Sequence, residues 1–175
     1  MNIFAVEIWY DESELCNFYT VRWNNSEVNE TDHFFEKYEN EENQYCNSAY
    51  ELFWLITHSI GNVYGATDDF FDRNKNNAQA LPPKPKKWIP EIMEIGIHFP
   101  LRLYCYQISE SIVVLFNGGI KDQRTDQQSK DISLKFNEAQ QFATRIANAL
   151  QDGSIIISED NRTLTNFQGT TDIIL

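Results

Sequence analysis

Two apolar segments separated by three polar residues constrain the fold of this chain most. Residues 101–108 and 112–117 are rich in aliphatic and aromatic side chains, and Ser109-Glu110-Ser111 lies between them. Because so short a connection joins antiparallel neighbours, the pair predicts a β-hairpin. Residues 91–98 form a third strand-like segment before a Phe99-Pro100 turn. We therefore expect a three-stranded antiparallel meander.

The first half of the chain predicts a hairpin followed by two helices. Residues 3–10 and 18–23 read as strands with a polar loop between them, and Asn29 or Thr31 is suited to cap a short helix. A longer helix is predicted over residues 48–60, with Ser48 as its cap and Gly61 as its end. Its apolar residues cover more than one helical face, which indicates deep burial.

The C-terminal part predicts a helix and a second hairpin. Apolar residues recur at helical spacing within 131–150, and Gly153 is placed to end that helix. Residues 155–157 and 163–165 read as two short strands around a polar turn. The expected fold class is therefore α+β, as one domain over residues 1–175, with an antiparallel sheet, an N-terminal hairpin, a C-terminal helix and a final hairpin.

Length and cysteine content favour an ordinary folded domain in a reducing compartment. The chain has 175 residues, which suits one domain of roughly 100–200 residues. Its apolar runs fall far short of the ~20 residues needed to span a bilayer, and its first residues do not resemble a signal peptide. Three scattered cysteines contain no Cys-x-x-Cys pair. We expect a cytoplasmic protein that does not enter the membrane.

Charge is distributed unevenly along the chain. The formal net charge is −12. Residues 1–72 contain fifteen acidic and two basic residues, whereas residues 73–135 contain ten basic and six acidic residues. Since phosphate binding needs positive charge, the middle segment is where nucleic-acid contacts are expected.

An ordered set of motifs in that middle segment resembles the RelE/ParE toxin superfamily, in its HigB-like, phage-derived branch. The resemblance covers about residues 81–147, within a toxin-like core over about residues 18–147. The motifs are Leu81-Pro82-Pro83-Lys84, Met93-Glu94-Ile95, Phe99-Pro100-Leu101-Arg102-Leu103-Tyr104 and the run from Ile112 to Gln123. The resemblance implies a β-α-α-β-β-β core and a small toxin that cleaves mRNA on the ribosome and is silenced by an antitoxin.

The chemistry of metal-independent RNA cleavage suits residues in these motifs. Attack by a 2′-hydroxyl needs a proton acceptor, positive charge on the phosphorane and an acid for the leaving oxygen. Arg102, Tyr104 and Lys121 are the candidate catalytic residues, and His98 is a candidate acid or base. Because side chains alternate along a strand, Arg102, Tyr104 and Tyr106 should share an exposed face on which RNA bases stack. The candidate RNA-binding residues are Lys84, Lys86, Lys87, Tyr106 and Arg124.

Each of these residues also has a structural interpretation. Arg102 can pair with Glu94 on a neighbouring strand, the two tyrosines can serve sheet packing, and the lysines can form a solvated connector. His98 can be an exposed or hydrogen-bonded structural residue. The three histidines lack metal-ligand spacing and no glycine-rich phosphate loop is present, so neither metal nor cofactor is expected.

Two functions from different classes therefore remain open. One is a RelE/HigB-like mRNA endonuclease that contacts ribosome, mRNA and an antitoxin. The other is a catalytically inactive RelE-like fold that binds a protein partner through its acidic half, in phage defence or regulation. The chain is more acidic and longer than is usual for the toxins, and Asp122, Asp126 and Asp131 lie where the family often continues with a basic helix. The sequence leaves the oligomeric state undetermined.

Overall fold

A six-stranded mixed sheet forms the centre of the protein. The computed structural model describes residues 2–72, 78–85, 88–121 and 125–175. Within the sheet the strands are β1 (Phe4–Tyr10), β2 (Asn17–Trp23), β3 (Gln79–Leu81), β4 (Leu101–Ser109), β5 (Ile112–Ile120) and, near the C-terminus, β8 (Ile173–Ile174). Their order is β3-β4-β5-β2-β1-β8. Neighbours are antiparallel except β2 and β5, which pair in parallel. The fold is therefore α+β with a mostly antiparallel sheet.

Helices cover both faces of this sheet. One face is packed by α1 (Glu30–Glu36), α2 (Cys46–Trp54), a π-helix (Leu55–Tyr64) and α3 (Pro90–Ile95). The other face is packed by α4 (Asp126–Asp152) and by a small hairpin of β6 (Ile155–Ile157) and β7 (Leu164–Asn166). Each face has its own apolar core, so the sheet is buried between two layers.

Several local predictions are confirmed. β1 and β2 form the N-terminal hairpin, β4 and β5 form the central hairpin, and β6 and β7 form the final one. The side-chain Oδ1 of Asn29 accepts a hydrogen bond of 2.8 Å from the Asp32 amide and caps α1. Gly153 ends α4 in the left-handed conformation, at φ 84°. All of these signals act between residues close together in the sequence.

The strand predicted over residues 91–98 is wrong, because this segment contains α3. Pro90 occupies the first turn, where its missing N–H costs nothing, and Gly96 ends the helix at φ 78°. Ile89 and Ile92 are both buried against the first core. The antiparallel neighbour of β4 is instead β3, which pairs Leu81 with Leu103. The meander is therefore completed by residues that precede the expected strand.

The helix predicted over residues 48–60 has different ends. It begins at Cys46, continues beyond Trp54 as the π-helix and ends only at Gly65. Ser48 therefore does not cap it. Gly61 lies inside the π-helix, where a Cβ would collide with the Ser13 side chain. The β1–β2 loop stabilises this extension, since Ser13 Oγ donates to Thr57 O at 2.7 Å and the Leu15 amide donates to Gly61 O at 2.7 Å.

Candidate functional site

The strand β4 presents its polar side chains to α4. Arg102, Tyr104 and Tyr106 share one sheet face, as strand alternation predicts, but this is the face that α4 packs against. Tyr104 is only 4% exposed, and its ring centroid lies 5.3 Å from that of Phe136. The expectation of an exposed tyrosine platform is therefore wrong for Tyr104, and Tyr106 is half-buried against the same core. The physical reason is that α4 carries an apolar stripe that must itself be buried.

Arg102 lies half-buried beside this packed tyrosine. The neighbouring positive guanidinium lowers the pKa of Tyr104, but burial of the phenol has the larger effect and raises it. The phenol therefore stays protonated at neutral pH and is a poor proton acceptor. Glu94 lies on α3 and not on a neighbouring strand, so the predicted strand-to-strand pair with Arg102 is wrong.

Two glycines allow the chain to pack closely around Arg102. Gly119 is the residue opposite Arg102 in β5, and a Cβ added to it would lie 3.2 Å from Ile132 Cδ1 on α4. A Cβ on Gly118 would collide with the backbone carbonyl of Arg102. The first half of α4 therefore lies directly on the part of the hairpin that carries Arg102.

The basic residues of the motifs that are described lie towards one end of the sheet. The Lys121 amide donates to Pro100 O at 2.6 Å, which places Lys121 beside the start of β4. Lys84 is exposed just beyond β3, and β3 runs towards that same end because Leu81 pairs with Leu103. His98 is exposed in the turn before β4. Lys86, Lys87 and Arg124 lie outside the described residues.

A buried polar cluster that the sequence did not predict lies where β2 and β5 separate. Their parallel register runs from Asn17 with Ile112 to Thr20 with Leu115, and beyond it the first turn of α1 fills the gap. Thr31 Oγ1 donates to Leu115 O at 3.0 Å and lies 2.6 Å from Thr20 Oγ1. Beyond the paired region, carbonyl groups of β5 no longer face β2. The Thr31 hydroxyl supplies the hydrogen bond that the Leu115 carbonyl would otherwise lack.

Charged groups from both layers meet in this gap. Glu30 is 4% exposed, and its Oε2 accepts a hydrogen bond of 3.0 Å from Asn117 Nδ2. The Lys135 amine on α4 lies 3.9 Å from Glu30 Oε2 and 3.6 Å from Glu138 Oε2. Burial raises the pKa of Glu138, more strongly than Lys135 lowers it. The Asn117 amide and the Lys135 amine stabilise the buried Glu30 carboxylate, and the Lys135 contact links α1 to α4. No local sequence pattern announces it, because its members are far apart in the chain.

Solvent-exposed aromatic side chains lie on the opposite face, along α2. The exposed fractions of Tyr50, Phe53 and Trp54 are 63%, 38% and 59%. We call Tyr50, Glu51, Phe53 and Trp54 the α2 ridge. The prediction that this helix is deeply buried is therefore correct for one of its faces and wrong for the other. Leu52, Leu55 and Ile56 are buried, whereas the other apolar face is open to water.

A concave pocket lies on each side of the α2 ridge. The first has a volume of about 260 Å³ and is bordered by Trp9, Phe35, Tyr50 and Phe53, with Asp32 and Glu39 among its polar residues. The second has a volume of about 190 Å³ and includes Glu51, Trp54, Ser59, Glu91 and Glu94. In the sequence of α2, apolar residues lie on more than one face of the helix. This pattern is the signal that could have indicated an exposed apolar surface.

The cysteines do not supply a nucleophile. Cys16, Cys46 and Cys105 are all buried free thiols. Burial raises the pKa of Cys16 to about 12 and also raises that of Cys105. Because the thiolate is the reactive form, a raised pKa makes a thiol unreactive at neutral pH.

Neither a cluster of metal-binding side chains nor a membrane-crossing helix is found in the described part of the chain. Within it, no three His, Cys, Asp or Glu residues are grouped so as to hold a metal ion. Nor does any helix among the described residues combine the length and apolar character that crossing a membrane requires.

Comparisons with protein-family models, with curated proteins and with solved structures find no match for this chain.

Proposed function

We propose that this protein is a catalytically inactive RelE-like fold that binds another protein through its acidic half. The observation that carries the proposal is the packing of α4 across the sheet face that bears Arg102, Tyr104 and Tyr106. The motifs that suggested RNA cleavage are present, but Tyr104 is buried in the core and Tyr106 is partly buried against it.

The order of elements supports a RelE-like core. From β2 onwards the chain forms a strand, two helices and then the three strands β3, β4 and β5, with α3 inserted between β3 and β4. Without α3, and with α2 and its π-helical continuation taken as one helix, this order is compatible with the β-α-α-β-β-β core that the resemblance implies. The three strands are adjacent in the sheet, as a meander requires.

The burial of Tyr104 is the main argument against RNA cleavage. A base can stack only on an aromatic face that it can reach, and Tyr104 is 4% exposed beneath Phe136. Its raised pKa also removes it as a proton acceptor. A nuclease that used Tyr104 would need α4 to leave the sheet, which would expose the apolar residues Phe142, Ala143 and Ile146.

The surface that remains accessible suits a protein partner better than RNA. Residues 1–72 contain fifteen acidic and two basic residues, a charge that repels phosphate. On that half of the molecule, α2 exposes three aromatic side chains. Aromatic residues surrounded by polar ones are typical of surfaces that bind proteins.

An mRNA endonuclease is the second candidate, because one end of the sheet gathers basic residues. Lys84, Arg102 and Lys121 all lie where β4 begins and β5 ends. This end could contact phosphate without involving Tyr104. The two candidates therefore differ in whether the sheet end or the α2 side carries the function.

Controlled expression in bacteria separates the two functions. We expect normal growth and intact mRNA after induction of the wild type, with an active RelE-type toxin as the positive control. Growth arrest and fragmented mRNA from the wild type, both absent in a folded and equally abundant Arg102→Ala variant, would overturn the proposal and establish a nuclease.

RNA affinity provides a second test on purified protein. Binding through several phosphates weakens by orders of magnitude between about 50 and 200 mM salt. We expect weak RNA binding that Arg102→Ala does not change. A salt-dependent affinity that falls in Arg102→Ala and Lys121→Ala, but not in the control variant Lys130→Ala, would favour the nuclease.

A further inference from the structure

The first pocket beside the α2 ridge is an aromatic box with fixed walls. The rings of Trp9 and Phe35 are stacked at 5.6 Å with 15° between their planes. Phe53 meets Trp9 edge-on at 5.8 Å and Phe35 edge-on at 5.9 Å. Three elements, β1, α1 and α2, each contribute one of these rings. The box is therefore held by tertiary packing and does not depend on one flexible side chain.

A carboxylate is fixed at the wall of this box. Asp32 Oδ1 accepts a hydrogen bond of 2.9 Å from Trp9 Nε1, and Asp32 Oδ2 accepts one of 2.8 Å from Asn29 Nδ2. Glu39 borders the same pocket and is exposed. A carboxylate held by two neutral donors has remaining lone pairs that can accept further donors. Apolar ring faces and two negative groups thus line one small space.

The second pocket repeats this chemistry on the other side of the ridge. Trp54 borders it together with the carboxylates of Glu51, Glu91 and Glu94. Tyr64 Oη donates to Glu91 Oε2 at 3.0 Å and so orients that side chain. Ser59 also borders the pocket. It is completely buried, and its hydroxyl has no hydrogen-bond partner among the described residues.

Such pockets favour a cation. Aromatic faces attract Lys and Arg side chains, and the planar guanidinium of arginine can both stack on a ring and bond a carboxylate with two N–H groups. The volumes, about 260 and 190 Å³, lie below the roughly 300–1,000 Å³ of pockets for drug-sized ligands. Each pocket is therefore of a size for one side chain.

The charge around the ridge is not neutralised by the bases of this half. Arg22 and Lys37 are the only two basic residues of the sequence segment 1–72. Arg22 Nε lies 3.2 Å from Glu7 Oε1, and Lys37 Nζ donates to Gly118 O at 3.2 Å. Both positive groups are engaged away from the ridge. Charge complementarity therefore indicates a basic occupant.

We infer that the α2 ridge is the docking surface for a basic protein segment that places one arginine or lysine side chain in each of the two flanking pockets. The inference rests on the proposed protein-binding function and adds the class of partner and the place where it binds. Tyr50 and Phe53 contact the segment on one side of the ridge, and Glu51 and Trp54 contact it on the other.

The four tryptophans of the chain provide a direct test. The uniformly ¹⁵N-labelled protein is titrated with a short peptide of alternating arginine and alanine residues, and the indole N–H signals are followed by NMR. We expect the signals of Trp9 and Trp54 to shift. Trp23 packs against Phe142 on the other face of the sheet, so its signal should stay in place and serves as the internal control. A glutamate–alanine peptide of equal length should shift none of the three.

Exposed residues of the ridge can be changed without disturbing the core. We expect Tyr50→Ala and Glu51→Gln together to weaken binding of the arginine peptide by about tenfold, which corresponds to about 1.4 kcal/mol. The matched control is Phe167→Ala with Glu159→Gln, an exposed aromatic and an exposed carboxylate near the C-terminal hairpin. The control pair should bind like the wild type.

The outcomes separate this inference from the proposed function. An absence of peptide binding at low salt, shifts confined to other tryptophans, or equal weakening in both double variants would each overturn the docking surface. Binding of free arginine as tight as that of the peptide would identify a small-molecule site and also overturn it. None of these peptide-binding results tests mRNA cleavage. Growth arrest with fragmented mRNA would overturn the proposed function, whether or not the peptide binds.

Discussion

The two faces of the central sheet use aromatic and charged side chains in opposite ways. On the α4 face, Tyr104 and Phe142 are 4% and 1% exposed and contribute to a continuous core. On the other side, Tyr50 and Trp54 remain 63% and 59% exposed at the rim of two acidic pockets. The residue types are similar, but only the second set is available to a partner.

This difference shows that a chemically suggestive strand is not by itself a site. Arg102 and Tyr104 have the right chemistry for RNA, and strand alternation places them on one face. The layer above that face decides whether a ligand reaches them. Here α4 brings an apolar stripe that includes Ala139, Phe142 and Ile146, and the burial of this stripe outweighs the exposure of one arginine and two tyrosines.

The largest expected effect is the loss of a core ring beneath α4. Phe142 lies within 4.7–5.3 Å, between ring centroids, of Phe4, Trp23 and Phe116. Phe142→Ala should lower the free energy of unfolding by about 3–5 kcal/mol because it removes a buried ring and leaves a cavity. Chemical denaturation measures this change.

The matched variant on the other face is Tyr50→Ala, which should change the free energy of unfolding by no more than about 0.5 kcal/mol. Similar losses in both variants would show that the Tyr50 side chain contributes as much to packing as the Phe142 side chain does.

A smaller effect is expected from the hydroxyl of Tyr104. Tyr104→Phe keeps the packed ring but removes the polar hydroxyl beside the Arg102 guanidinium. The free energy of unfolding should fall by about 0.5–1.5 kcal/mol, and RNA affinity should not change. Tyr106→Phe is the control from the same strand and face. A loss of RNA affinity in Tyr104→Phe alone would indicate that α4 does uncover this tyrosine.

The smallest effect concerns the pH dependence contributed by Glu138. Since burial raises the pKa of Glu138 in the folded state, protonation favours folding. The stability that Glu138 contributes is present below its unfolded pKa, about 4.3, and is lost as the pH rises through the higher folded value. Glu138→Gln should therefore gain stability relative to the wild type between about pH 4 and neutral pH, on the order of 0.5 kcal/mol.

Chemical denaturation at several pH values measures that difference, with exposed Glu159→Gln as the control. A difference between Glu138→Gln and the wild type that does not vary with pH would show that the gap between β2 and β5 is as well hydrated as the outer surface.

Much of the fold could be predicted from local sequence signals, and one of the failures has a local cause too. The β4–β5 hairpin, the Asn29 cap and the end of α4 at Gly153 depend on neighbours in the chain. The strand predicted over residues 91–98 is wrong because an apolar segment of this length is compatible with strand or helix, and Pro90 with Gly96 favours a helix. Gly61 does not end its helix, and the distant Ser13 side chain leaves no room for a Cβ there.

The candidate site depended more strongly on distant contacts. Strand alternation correctly placed Arg102, Tyr104 and Tyr106 on one face, but alternation carries no information about which element covers that face. The Glu30–Lys135 contact and the aromatic box of Trp9, Phe35 and Phe53 join residues from separate elements.

Local sequence patterns were sufficient to predict most of the strands and helices, the residues that share a face of β4, and the separation of acidic and basic charge along the chain. The tertiary structure alone decided that α4 covers the Arg102 face, that β2 and β5 pair in parallel, and that the α2 ridge stays open. The physical reason is that periodicity and capping act over a few residues, whereas burial depends on which apolar surfaces of distant elements pack together.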